Sequence, residues 1–211
     1  MDIYTYRELL PRMVADLPGC PENVMLQALR LAGWEFCDQT EALLEEVVLA
    51  SVADQLAYTI TLATPDCNIH RIKTVKIRTS ATTDWSFISS MEPRYFSLTG
   101  DTDNTLTFID GYEPTTAFAT GLQIAVVLTP KLEDAQGLPR DFMTRYYDGI
   151  VARAKTNLML QPKKSWSDVN LANYYDTIFE RRKGAAIREI YAGNRSGNIM
   201  MQQLAYGEGG F

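Results

Sequence analysis

The spacing of apolar residues changes twice along this chain, from a helical period to a strand period and back. From Pro21 to about Val47 the apolar side chains recur at three- and four-residue steps, which places them on one face of a predicted helix. These positions are Met25, Leu29, Ala32, Phe36, Leu43 and Val47. A shorter helix is predicted near Tyr4 to Ala15. The segment Leu17-Pro18-Gly19-Cys20-Pro21 separates the two, because glycine and two prolines interrupt a helical ladder.

From about Val52 to Thr129 the apolar period falls to two, which is typical of half-exposed strands. The alternating runs are Tyr58, Ile60 and Leu62, then Val75 and Ile77, then Leu122, Ile124, Val126 and Leu128. Shorter strands are predicted at 85–88, 95–98 and 106–109, with a hairpin turn over 99–104. No helical pattern lies between these runs, so the pattern predicts an antiparallel sheet or a small sandwich.

The helical period returns at Pro139 and predicts two further helices. The first runs to Leu158 and stops before Pro162, and Ser165 or Ser167 is predicted to cap the second. Because the turn between them is short, the two helices are expected to lie antiparallel.

The predicted fold class is therefore α+β: a helical bundle of about four helices, an inserted antiparallel β module and an extended C-terminal arm. In residue numbers, the N-terminal helices of the bundle occupy 1–50 and the β-rich module 51–135. The C-terminal helices occupy 136–192 and the arm 193–211.

The charge of the chain is acidic overall and unevenly distributed. The formal net charge of −6 argues against a surface devoted to gripping nucleic acid, which needs clustered Lys and Arg. Residues 1–50 are rich in carboxylates, whereas residues 140–195 are rich in cations. The two ends are therefore expected to attract each other, either within one chain or between neighbouring copies.

Little in the sequence indicates a targeting segment, a membrane span or a redox site. The amino terminus has no signal-peptide pattern and no run of 18 apolar residues occurs, so we expect a soluble protein without membrane contact. Cys20, Cys37 and Cys67 lack C-x-x-C spacing and are interpreted as small buried hydrophobic residues in a reducing compartment.

Catalytic, cofactor-binding and metal-binding patterns are not found, and the expectation is a protein that is not an enzyme. His70 is the only histidine, within a predicted strand, and is interpreted as structural. The sequence contains no phosphate-binding loop, dinucleotide fingerprint or nucleophile elbow. We therefore predict no catalytic residue, no cofactor and no metal.

The last residues combine glycines with large apolar side chains, which water disfavours by roughly 1.5 to 3 kcal/mol each when they stay exposed. The apolar side chains of this arm are Ile199, Met200, Met201, Leu204, Tyr206 and Phe211. We interpret the arm as a segment that docks on a partner; folding back on its own core is the alternative.

Four further residues are candidates for a contact between subunits or for a hinge between helices. Trp166 follows Pro162 in the turn between the last two helices, where core or interface packing is the expectation for its ring. Arg181, Arg182 and Lys183 form a basic run in the last helix, and their charges also complement the negative helix C-terminus.

Several local features, taken in order, resemble the head-to-tail adaptor (connector or head-completion) proteins of tailed bacteriophages, especially short-tailed phages. The first is the N-terminal helix followed by Pro18-Gly19-Cys20-Pro21, with Phe36-Cys37 and with Thr40 ending the second helix. The next is Tyr58-Thr59-Ile60-Thr61-Leu62, leading on to Val75. The last is the helix through Asp148-Gly149-Ile150, then Pro162 with Trp166. The resemblance spans nearly the whole chain.

The resemblance implies a structural subunit of the virion neck, assembled in the host cytoplasm. Such adaptors form a ring, usually dodecameric, beneath the portal protein, with the C-terminal arm reaching the portal. The implied partners are other copies of the chain, the portal, a tail nozzle or tail-tube protein, and genome DNA that passes through the lumen without sequence-specific contact. The alternative is a non-enzymatic carbohydrate- or protein-binding module whose β region recognises the ligand.

Overall fold

Helices from both ends of the chain pack beside strands from its middle in this structure, a computed structural model that describes residues 2–80, 85–89, 94–99 and 104–193. The strands are β1 (Ile3–Thr5), β2 (Leu44–Ser51), β3 (Ala57–Thr59), β4 (Cys67–Arg78), β5 (Trp85–Ser89), β6 (Phe96–Thr99), β7 (Thr105–Phe108), β8 (Phe118–Pro130) and β9 (Gly137–Pro139). The helices are α1 (Leu10–Val14), α2 (Glu22–Thr40), α3 (Arg140–Met159) and α4 (Val169–Gly193), and a 3₁₀ turn (Tyr6–Leu9) precedes α1. The α+β class, with four helices and antiparallel sheets among the described residues, is confirmed.

Helix α2 ends earlier than its apolar period predicted. It stops at Thr40, where the Thr40 hydroxyl donates to the carbonyl of Phe36 at 2.6 Å and accepts from the amide of Ala42 at 3.2 Å. Glu41 then takes a left-handed conformation with φ of 54°. The prediction of helix as far as Val47 was wrong, because Leu43 and Val47 are four residues apart and that spacing fits both a helix and a strand. The strand β2 therefore begins within the segment 1–50 that was predicted to be helical.

Two antiparallel sheets form the β region. The larger has the strand order β2-β8-β4-β5 and the smaller the order β3-β7-β6. In β8, the apolar alternation that begins at Leu122 gives way to five consecutive buried residues from Val126 to Pro130. Strand β8 lies between β2 and β4 and also contacts α2, so the end of this strand is covered more completely than its alternation indicated.

A short sheet that the sequence did not indicate joins the N-terminal segment to the segment before α3. Strand β1 pairs with β9 in antiparallel register, Ile3 opposite Pro139 and Thr5 opposite Gly137. A side chain at Gly137 would come within 2.2 Å of the carbonyl oxygen of Tyr4, so the close approach of the strands requires glycine there. This pairing places the N-terminal segment beside the start of α3.

The last two helices lie antiparallel, as predicted, with ion pairs between Arg145 and Glu189 and between Arg153 and Asp176. The predicted cap of α4 was wrong. Asp168 accepts a hydrogen bond from the amide of Leu171 at 3.0 Å, which is the geometry of an N-cap carboxylate. The Ser167 hydroxyl instead donates to the carbonyl oxygen of Gln161, within the turn.

Phe36 is the central side chain of the helical core. It is completely buried and lies against the rings of Phe142, Tyr146 and Phe179, with centroid distances of 5.4 to 6.3 Å. A side chain at Gly149 would meet the Phe36 ring at 2.9 Å, so the absence of a side chain there lets α2 and α3 approach closely. The three cysteines are buried, as the sequence predicted.

Some predicted features lie outside the described residues. The predicted turn over 99–104 falls partly on residues 100–103, although the strands on either side of it, β6 and β7, pair as expected. The arm residues Ile199, Met200, Met201, Leu204, Tyr206 and Phe211 all lie beyond residue 193.

Candidate functional site

A cleft opens between α1, α3 and α4 on the surface of the helical layer, which we define as helices α1 to α4. Its volume is about 260 Å³. Its apolar lining comes from Val151 and Ala152 of α3 and from Ile178 of α4. Its charged and polar lining consists of Arg12, Asp148, Lys155, Tyr175, Arg181 and Arg182.

Two lining residues of this cleft, Lys155 of α3 and Tyr175 of α4, form a charged cluster with Asp16, which lies in the turn after α1. The ammonium of Lys155, which is almost completely buried, binds the Asp16 carboxylate and lies 3.3 Å from the Tyr175 hydroxyl. The Tyr175 hydroxyl donates to Asp16 at 2.7 Å. Burial and the neighbouring Asp16 carboxylate raise the pKa of Tyr175 to about 12, so the phenol keeps its proton at neutral pH. Hydrogen bonds from Lys155 and Tyr175 lower the pKa of Asp16.

The outer rim of the cleft carries one arginine with a carboxylate partner and two arginines without one among the described residues. Arg182 is paired with Asp148 at 2.9 Å. Arg12 lies over the ring of Tyr147, 4.2 Å from its centroid, and Arg181 is exposed. Among the described residues, Arg12 and Arg181 form no ion pair. Cations therefore outnumber carboxylates at the cleft, four to one among the lining residues, or four to two when Asp16 is included.

The outward side of α4 carries a row of aromatic and cationic residues, which we call the α4 stripe. It consists of Tyr174, Arg181, Arg188 and Tyr191. The first three lie seven residues apart and so share one face of the helix. Tyr174 and Tyr191 are 60% and 72% exposed, and with Val169 at 61% they are the most exposed large hydrophobic side chains of the described chain. Tyrosine and arginine are the residue types enriched in protein interfaces.

Trp166 lies where two turns of the chain meet. The Ser165 hydroxyl beside it donates to the carbonyl oxygen of Pro18 at 3.3 Å, which joins the α3–α4 turn to the turn before α2. The Trp166 ring is half-buried against the core, and Lys164 lies 5.7 Å from its centroid. Its indole N–H is buried without a hydrogen-bond partner within the described chain.

The basic run separates into residues with different surroundings. Arg182 faces α3 through its pair with Asp148. Lys183 contacts Glu180 at 2.6 Å and the Gln39 side chain at 3.1 Å, and its ammonium lies 5.3 Å from the centroid of the Phe179 ring. Of these residues, Arg181 alone belongs to both the cleft and the α4 stripe.

The acidic first part and the basic last part of the chain do meet within one molecule. Arg153 of α3 binds Glu35 of α2, and Arg140 binds Asp2. These two contacts and the pair between Lys155 and Asp16 show that the two parts attract each other within one chain. The sequence had left open whether this attraction acts within a chain or between neighbouring copies.

His70 lies in β4, as predicted, with Nδ1 at 3.5 Å from Oδ1 of Asp38. No group of three potential metal ligands occurs in the described part of the chain. None of the helices within the described ranges is long and apolar enough to cross a membrane.

Comparisons with known proteins give no family for this chain. Neither a protein-family model nor a curated protein matches it.

The cleft was not predicted from the sequence, although most of its cations lie in the basic segment 140–195. Nothing local to Arg12 indicates that it lies beside α3, because that depends on how the short α1 packs. The α4 stripe did have a local signal, since Tyr174, Arg181 and Arg188 repeat at seven residues.

Proposed function

We propose that this protein is a structural phage head-to-tail adaptor, forming a ring beneath the portal and joining the capsid vertex to the tail around the DNA exit channel. The observation that carries the proposal is the α4 stripe, an uncovered row of tyrosine and arginine on the helix that leads into the apolar arm. Such side chains are the usual anchors of protein interfaces.

In this proposal the arm after α4 supplies the contact with the portal. Ile199, Met200, Met201, Leu204, Tyr206 and Phe211 are the anchoring side chains. The glycines at 197, 207, 209 and 210 allow the segment to adopt the conformation that the portal surface requires. Ordering a glycine-rich segment costs conformational entropy, which burial of its apolar anchors offsets.

The ring in this proposal forms by a heterologous contact, in which one face of a subunit meets a different face of the next. Trp166, Arg181, Arg182 and Lys183 remain candidates for this contact or for the helix junction beside it. The ring would join a tail nozzle or tail-tube protein on its far side and surround genome DNA without reading its sequence. The proposal includes no catalytic step.

The test removes residues 194–211 and measures co-sedimentation with rings of the portal encoded in the same genome. The variant should keep the circular dichroism spectrum and melting temperature of the full chain, because the described core lies within residues 2–193. It should no longer sediment with portal rings.

A matched variant keeps the arm and replaces only Gln202 and Gln203 with alanine. We expect this control to sediment with the portal as the full chain does, since its apolar anchors remain. Undiminished portal binding by the truncated chain would refute the assignment of the arm.

A second candidate function, ligand binding by the β region, is favoured by one aromatic pair. The rings of Tyr95 and Tyr112 lie 4.5 Å apart, and Tyr112 and the neighbouring Ile109 are exposed. Exposed aromatic rings offer flat apolar faces to sugars and peptides. Calorimetry with soluble oligosaccharides tests this candidate by comparing the full chain with Tyr112→Ala. If no heat of binding is measured, carbohydrate binding by the β region is contradicted.

A further inference from the structure

The cleft between α1, α3 and α4 has an apolar floor and an excess of positive charge. Val151, Ala152 and Ile178 supply the floor, and Arg12 and Arg181 have no carboxylate partner among the described residues. Its volume of about 260 Å³ exceeds the roughly 150 Å³ of an engineered apolar cavity that holds a benzene ring in another protein. This volume is large enough for one branched apolar side chain.

The complementary feature lies on another surface of the same chain. After β8, residues 131–134 form a turn in which Leu132 is 46% exposed, with exposed Glu133 and Asp134 following it. Neither carboxylate forms an ion pair among the described residues. The turn thus presents one apolar side chain with two unpaired negative charges next to it, which we call the acidic turn.

The acidic turn is held in place at both ends. The amide of Lys131 donates to the carbonyl oxygen of Asp66 at 2.8 Å, and the Arg30 guanidinium donates to the carbonyl oxygen of Ala135 at 3.1 Å. The exposed Asp66 adds a carboxylate beside the turn, so three carboxylates stand against the cations Lys131 and Arg30. The turn therefore keeps a net negative charge, opposite in sign to the excess of two positive charges at the cleft, where four cations stand against Asp148 and Asp16.

We propose that the acidic turn of one copy docks in the cleft of the next copy, with Leu132 on the apolar floor and with Glu133 and Asp134 facing Arg12 and Arg181. The turn is attached to α2 and to Asp66 immediately before β4, whereas the cleft belongs to α1, α3 and α4, so the two surfaces differ and the contact is heterologous. This inference rests on the proposed ring function and names one of its subunit contacts.

The principal test exchanges charges between two variants of the full chain. Arg181→Glu alone, and Glu133→Lys with Asp134→Lys alone, should each weaken self-association by at least about tenfold in sedimentation velocity, because like charges then face each other. An equimolar mixture should recover association, since copies of the two kinds alternate with restored attraction.

The matched controls change the same charges elsewhere. Lys163→Glu reverses an exposed cation in the turn before α4, outside both the cleft and the α4 stripe, and Asp110→Lys alters another exposed turn of the β region. Both should associate as the unmodified chain does. Circular dichroism and melting temperature verify that every variant is folded.

A second test traps the contact itself. The natural cysteines are all buried, so Leu132→Cys in one protein and Ile178→Cys in another should form a mixed disulfide on gentle oxidation. Leu132→Cys with Tyr191→Cys is the control, since Tyr191 is more exposed than Ile178 but lies more than three helical turns further along α4.

The outcomes separate this inference from the proposed function. Rings that assemble on the portal with Arg181→Glu as readily as with the unmodified chain would overturn the cleft contact and leave the adaptor proposal standing. A chain that neither self-associates nor binds portal rings would overturn the adaptor proposal and, with it, this contact. Loss of association by the single variants and its recovery in the mixture would support both.

Discussion

Cations and aromatic rings occur on both the inner and the outer surface of the helical layer, but they differ in ion pairing and in burial. On the inner side, Lys155 and Arg153 bind carboxylates from α2 and from the segment after α1. On the outer side, Arg12, Arg181 and Arg188 form no ion pair among the described residues. The aromatic rings divide in the same way, since Phe36 and Phe179 are buried and Tyr174 and Tyr191 are exposed.

This difference indicates two tasks for one helical layer. A buried cation without its carboxylate is destabilising, so inner substitutions are expected to lower the free energy of unfolding. Exposed side chains contribute little to folding, so outer substitutions are expected to alter association with little effect on stability. Three predictions, in order of the expected effect on stability, test this division.

The largest effect is expected at the centre of the inner side. Phe36→Ala should lower the free energy of unfolding by about 3 to 5 kcal/mol, because it leaves a cavity among three aromatic rings. Chemical denaturation measures the change. Leu31→Ala on the exposed side of α2 is the control and should cost much less; equal losses would contradict the position assigned to Phe36.

A smaller, pH-dependent effect is expected at the charged cluster. Asp16→Asn should lower the free energy of unfolding by about 1 to 3 kcal/mol at pH 7, because Lys155 loses its only carboxylate partner among the described residues. The folded pKa of Asp16 lies below its ordinary value of about 3.9, so its contribution is present above that pH and is lost as pH falls through the folded value.

Urea denaturation between pH 7 and pH 2 measures this dependence. The difference between the unmodified chain and Asp16→Asn should be constant near neutrality and shrink below about pH 4. Asp110→Asn, which removes an exposed carboxylate without an ion pair among the described residues, should show no such difference. If the difference in the free energy of unfolding grew as the pH fell, it would contradict a carboxylate that stabilises the fold in its charged form.

The smallest effect on folding is expected on the outer side. Tyr174→Ala should change the free energy of unfolding by less than about 1 kcal/mol, since its ring is mostly exposed and contacts only Tyr175 among the described rings. Ring assembly on the portal, counted by electron microscopy, should nevertheless decrease. Asn173→Ala is the neighbouring control. A large loss of stability with normal assembly would remove the distinction between the two surfaces.

Much of the fold was predictable because apolar periodicity is a local signal. It gave the α+β class, the antiparallel β region and the antiparallel pair α3 and α4. It failed at Leu43 and Val47, whose spacing fits both a helix and a strand. It also failed at the start of α4, where Asp168 caps the helix in place of the two nearby serines. The pairing of β1 with β9 was not predictable, because three-residue strands carry no period of their own.

The candidate surfaces were predictable only in part. Arg181 was identified from its basic neighbours, and the α4 stripe follows from a seven-residue repeat. The cleft depends on Arg12, Asp16 and Lys155, which are far apart along the chain and have no common motif.

The sequence by itself determined the order and type of the main elements, the burial of the three cysteines and the opposite charges of the two ends, because composition and periodicity act within a few residues. Only the tertiary structure decided where those charges meet. Ion pairing depends on distances of a few ångströms between residues more than a hundred positions apart, as between Asp16 and Lys155. The same packing left Arg12, Arg181 and Arg188 on the outer surface without carboxylate partners among the described residues.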